Sequence, residues 1–162
     1  MANQTNLPNT QEVAVARVSP ASVRVRFGLF LTILGFIVFV IGAKPEWLNL
    51  DRSPVVGFVQ IAVFLVGLAI ISLGGYIGLT ALWHGDEKSI LAEIGMRLVS
   101  TGYVIAVFAG MADVFGLGSH PLPGVPFFGH LQSIGVQIGE LVIAAGFLLL
   151  IPYHRHSKNS PS

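Results

Sequence analysis

The stretch FGLFLTILGFIVFVIGA, residues 27–43, carries no charge and spaces Gly28, Gly35 and Gly42 seven residues apart. It has two properties of a membrane helix. It is apolar all round, and its smallest side chains fall on one line of a helix. Three more apolar stretches follow, at 55–83, 94–115 and 131–153. Each stretch is near or above the roughly 20 residues that cross a hydrocarbon core as helix. Helix is the default because an open sheet leaves backbone groups unpaired in lipid.

Composition agrees. The 162-residue chain is 53% hydrophobic and 10% charged, with a mean hydropathy of +0.76. A soluble domain is about 25% charged. Too few polar groups are present to cover a water-facing surface. Cysteine is absent, which removes disulfides, thiolate nucleophiles and Cys-type metal sites.

Residues 1–26 are polar, with Pro8 and Pro20, and read as a disordered cytoplasmic tail; 154–162 read as a short basic cytoplasmic tail. Arg17, Arg24, Arg26, Lys88, Arg97, Arg155 and Lys158 fall on one side of the four-span arrangement, and only Lys44 and Arg52 on the other. By the positive-inside rule both termini are expected in the cytoplasm, in a membrane of the bacterial inner type. Trp47 and Trp83 flank spans as interfacial anchors. Ile41-Gly42-Ala43 is a poor cleavage site, so the first span reads as an anchor rather than a signal peptide.

Small residues recur in every span. The second has Gly67, Gly74 and Ala81 at sevenfold spacing, with Gly78 on the same face. The third has Gly102, Ala106 and Gly110 four apart. The fourth has Gly135 and Gly139, then Gly146. Small side chains let backbones approach closely where lipid removes the hydrophobic drive between helices. The fold class expected is all-α, an integral membrane four-helix antiparallel bundle with small-residue helix interfaces. No internal repeat supports an inverted-repeat transporter fold.

The fourth span holds Glu140 inside SIGVQIGELVIAAGF, residues 133–147. On a helical wheel with Gly135 at the origin, Gly139 and Gly146 lie within about 40°. Ser133, Gln137, Glu140 and Ala144 lie nearly opposite, between about 140° and 200°. A helix with two non-lipid faces is either central in its bundle or in contact with another chain. Glu140 lies about 14 Å along the helix from Leu131, near mid-membrane. An ionised acid there costs at least about 2.5 kcal/mol, which makes it a functional candidate by default. A polar file is conceivable from Asp113 through Gln60 and Gln137 to Glu140 and Tyr103. A protonated Glu140 fastening helices is the plainer reading. Asp113 is alternatively a group that reaches the outer headgroups. Glu93 and Arg97, four apart, read as interfacial snorkelling and helix pairing.

Other chemistry finds little footing. His120, His130, Asp113 and Glu140 match no zinc spacing, and no metal or cofactor is specified. His154 and His156 belong to the basic tail, suited to anionic headgroups. The connection FGLGSHPLPGVPFFGH, 115–130, reads as a cap, docking loop or plain turn. No phosphate-binding loop, dinucleotide fingerprint or hydrolase motif is found, and no basic face suits nucleic acid. The leading expectation is a non-enzymatic membrane protein acting by association, through self-assembly or as an accessory subunit, with the fourth helix as contact. The alternative is a small bundle transporting a proton, cation or solute through Glu140. A membrane enzyme or quinone-binding subunit ranks third.

Overall fold

A computed structural model describes residues 20–44, 57–83, 87–117 and 128–152. Residues 20–26, expected within the N-terminal tail, are helical instead and lengthen the first span; residues 1–19, the C-terminal tail, Trp47, Arg52, His120 and most of the Pro-rich connection lie outside the described residues. Four helices form: α1 (Pro20–Ala43), α2 (Phe58–Ala81), α3 (Ile90–Gly110) and α4 (His130–Leu150). All four are long and apolar enough to cross a membrane. The protein is a multi-pass membrane protein, and no strand occurs among the described residues.

Local signals set several ends. Pro20 opens α1, where its missing N–H costs nothing. Ser89 caps α3 by accepting a hydrogen bond from the Ala92 N–H at 3.2 Å. Gln132 Oε1 accepts from the Gly129 N–H at 2.8 Å and fastens the start of α4. After Gly110 the chain leaves α3 through successive turns, and Gly116 adopts a positive φ of 73°.

The helices pack as two hairpins, α1 with α2 and α3 with α4. The buried residues of α4 are Gln132, Val136, Gly139, Ile143, Gly146 and Leu150, a strict alternation of fours and threes. Those of α3 run Ala92, Gly95, Val99, Gly102, Ala106 and Gly110 in nearly the same rhythm. This is the seam of antiparallel coiled-coil packing. The small residues let the backbones touch. A Cβ at Gly102 would lie 2.6 Å from the Gly139 carbonyl oxygen, and one at Gly146 would lie 2.7 Å from that of Gly95. In the first hairpin Gly28 lies against Gly74 and Gly78, Gly35 against Ile70 and Ile71, Gly67 against Phe39, and Gly42 against Phe64.

The hairpins meet more loosely. α2 touches α3 and α4, whereas α1 touches α2 alone. Bulky side chains fill the junction: Ile61, Phe64, Leu65 and Leu68 of α2 with Val99, Ala106, Val136 and Ile143. The physical reason is that most of the stripe glycines are used within their own hairpin, although Gly110 of α3 faces Leu65 and Ile61 of α2 and Gly75 of α2 faces the Phe147 ring of α4. What remains for the junction is large, and it holds the backbones apart. Trp83 adds a tie, its Nε1–H donating to the Leu150 carbonyl at 3.0 Å. Clefts are left on either side of the junction.

Candidate functional site

One cleft opens between the end of α1, the start of α2 and the first half of α4. Its volume is about 380 Å³. On α4, Ser133, Gln137 and Glu140 flank the buried stripe, so they miss the α3 seam and line this cleft. Facing them are Lys44, just past the end of α1, and Gln60, near the start of α2. Phe39, Phe64 and Phe128 form the apolar wall. Phe64 stands edge-on to both others, with ring centroids 6.1 Å from Phe39 and 6.3 Å from Phe128. Such edge-to-face pairs hold a rigid surface.

Depth decides what the cleft can do. Gln60 and Ser133 lie within the first turn or so of their helices, at the end of the bundle where the 44–57 and 111–129 connections lie. Glu140 lies about 15 Å further along from His130. The cleft therefore runs from a helix end to the middle of the hydrophobic layer. The Gln137 Nε2–H donates to Ser133 Oγ at 3.3 Å, while Gln137 remains exposed. Glu140 is half-buried and has no hydrogen-bond or ion-pair partner among the described residues. A lone carboxyl group at this depth can exchange a proton, pair with a cation or accept a hydrogen bond. Among the described residues, no second carboxylate, imidazole or thiol lines the cleft with it. Among the described residues, no group of three or more His, Cys, Asp or Glu side chains is placed to hold a metal ion.

Of the candidates read from the sequence, Glu140, Gln137 and Gln60 come together. Tyr103 does not. Gly102 faces Gly139 across the α3–α4 seam, so Tyr103 is level with Glu140, as its depth implied. It points the other way, into a second cleft between α2 and α3 with Ser72 and Tyr76. Asp113 joins neither cleft. It sits in the turns after α3 and is 4% exposed, so its side chain is folded into the protein rather than extended to the headgroups. A single polar file through all five residues does not form. Glu93 and Arg97 also differ from expectation: they make no ion pair among the described residues, and both line the inter-hairpin groove.

Lys44 is the residue that sequence reasoning missed. It was counted as a loop charge. The antiparallel register that sets Gly42 against Phe64 brings Lys44 close to the level of Gln60, and that register belongs to two helices together rather than to the pattern of either. The second face of α4 also gains a partial explanation, because it turns toward a cleft of its own chain. Compared with known proteins, the chain matches no family model, no curated protein and no solved structure.

Proposed function

We propose that this multi-pass membrane protein acts by association in the bilayer, as a homo-oligomer or as an accessory subunit, using the polar face of α4. The observation that carries the reading is Gln137 and Glu140 together. One is exposed and the other half-exposed in the middle of an apolar helix, and α1 does not close over them. Lipid offers no hydrogen bonds to such groups, whereas a helix of another chain does. Each interhelical hydrogen bond contributes about 0.6 to 2 kcal/mol, enough in combination to set a specific contact. Single-molecule counting of labelled chains in native membranes tests it. Assemblies are expected for the parent, with dissociation in Glu140→Leu and Gln137→Leu. A parent that counts as a monomer and co-purifies with no other protein in mild detergent contradicts the reading.

A second reading rests on the shape of the cleft. Lys44, Gln60, Ser133, Gln137 and Glu140 line one space from helix end to mid-membrane, as a half-channel for a proton, cation or small solute would. Vesicles containing the parent would then show pH-dependent flux that Glu140→Gln abolishes. Absence of flux in the parent rejects it. We infer further that the chain sits in a bacterial inner membrane with both termini in the cytoplasm. The support is the bias of lysine and arginine toward one side. Terminal reporter fusions that fold only outside the cytoplasm should stay inactive.

A further inference from the structure

The second cleft has a different chemistry. It begins at the end of the bundle where α2 finishes and α3 starts, as a groove of about 730 Å³ lined by Tyr76, Glu93, Met96, Arg97 and Ser100. It continues along α2 and α3 into a trough of about 410 Å³. Tyr76, Met96 and Ser100 belong to both parts, so the two are one groove with a polar head and an apolar body. Leu73, Val99, Tyr103 and Val104 line the body.

The head is cationic. Arg97 lines it, without an ion pair among the described residues. Lys88 reaches over it from before α3, its Nζ donating to Met96 Sδ at 3.7 Å. Among the described residues Glu93 is the one acid lining the head, so Arg97, Lys88 and Glu93 together sum to one positive charge. The Tyr76 hydroxyl adds a donor, whereas that of Ser100 donates to the Met96 carbonyl at 3.2 Å. In the trough wall Ser72 Oγ is buried without a hydrogen-bond partner. It lies one turn of α2 deeper than Tyr76, about 6 Å.

We propose that this groove binds one anionic glycerophospholipid. The phosphodiester lies against Arg97 and Lys88, and an acyl chain fills the trough. Basic pockets between membrane helices hold anionic headgroups by this combination of charge and apolar contact. The proposal is independent of how the Glu140 cleft is used.

Native mass spectrometry of the full chain in mild detergent, with phosphatidylglycerol, phosphatidylethanolamine and phosphatidylcholine of matched chains added in equal amounts, tests it. One phosphatidylglycerol should be retained per chain in preference to the others. Arg97→Gln and Lys88→Gln should each lower its retention about fivefold. Glu93→Gln should raise it, and Val104→Trp should lower it by filling the trough. Lys44→Gln, at the opposite end of the bundle, should leave it unchanged. Equal retention of the three lipids, or indifference to both Arg97→Gln and Lys88→Gln, overturns the proposal. Displacement of the lipid by millimolar glycerol 3-phosphate also overturns it, because the trough would then contribute nothing.

Discussion

The seam inside each hairpin and the junction between hairpins solve the same problem in opposite ways. Along the α3–α4 seam, Gly102 and Gly139 bring two backbones into contact and leave no space. Across the junction, Phe64, Leu65 and Leu68 keep α2 at a distance from α3 and α4, and space remains on both sides. In lipid, close packing is the main source of helix affinity. A chain that spends most of its stripe glycines within hairpins therefore acquires rigid pairs and a looser joint. Polar side chains collect at the joint: Glu140, Gln137, Gln60 and Lys44 on one flank, Arg97, Glu93 and Tyr76 on the other.

That contrast can be broken first at the seam. Gly139→Leu forces a side chain onto the Gly102 carbonyl oxygen and the Ala106 N–H, 2.6 and 2.7 Å from its Cβ. Neither is a flexible group, so the helices must separate. A loss of about 3 kcal/mol is expected, at the upper end of the usual cost of overpacking. Reversible unfolding in mixed micelles measures it. A smaller effect belongs to the joint. Trp83→Phe removes the hydrogen bond to the Leu150 carbonyl and should cost about 1 kcal/mol in the same assay. The smallest is a control within the first seam. Although Gly78 lies beside Gly28, a Cβ there would stand 3.8 Å from the nearest atom, ordinary contact. Gly78→Ala should change stability by less than about 0.5 kcal/mol. Gly28→Ala, whose Cβ would meet Gly78 N at 2.5 Å, should destabilise clearly. Equal effects of those two substitutions would remove the asymmetry from the seam.

Hydropathy made the four helices legible, because length and charge alone decide what can cross lipid. Glycine spacing made the seam residues legible for the same kind of reason: a stripe is a property of one helix. Which stripe meets which is a property of two helices, and the spacing is silent on it. Gly102 and Gly67 occur in equally regular sets, yet the first faces α4 and the second faces α1. The candidate site shows the same divide. Depth follows from counting residues, so Tyr103 and Glu140 were rightly placed level. Direction around the bundle follows from helix rotation, and they point into different clefts. Asp113 continues the spacing of Gly102, Ala106 and Gly110, and it is buried although it sits in the turns after α3 rather than in the helix.

Since the chain contains no cysteine, a pair introduced anywhere reports only on itself. In the two-hairpin architecture α3 and α4 touch along a small-residue seam while α1 contacts neither. Ala109→Cys with Gly135→Cys tests it in native membranes. The Cβ of a residue at 135 would lie 2.5 Å from that of Ala109, which an outward shift of about 1 Å converts to disulfide geometry. Leu34→Cys with Val104→Cys joins α1 to α3, which do not meet. Mild oxidation should close the first pair within single chains nearly completely and leave the second open. A first pair that stays reduced, or a second that closes within one chain as readily, would contradict the two-hairpin architecture.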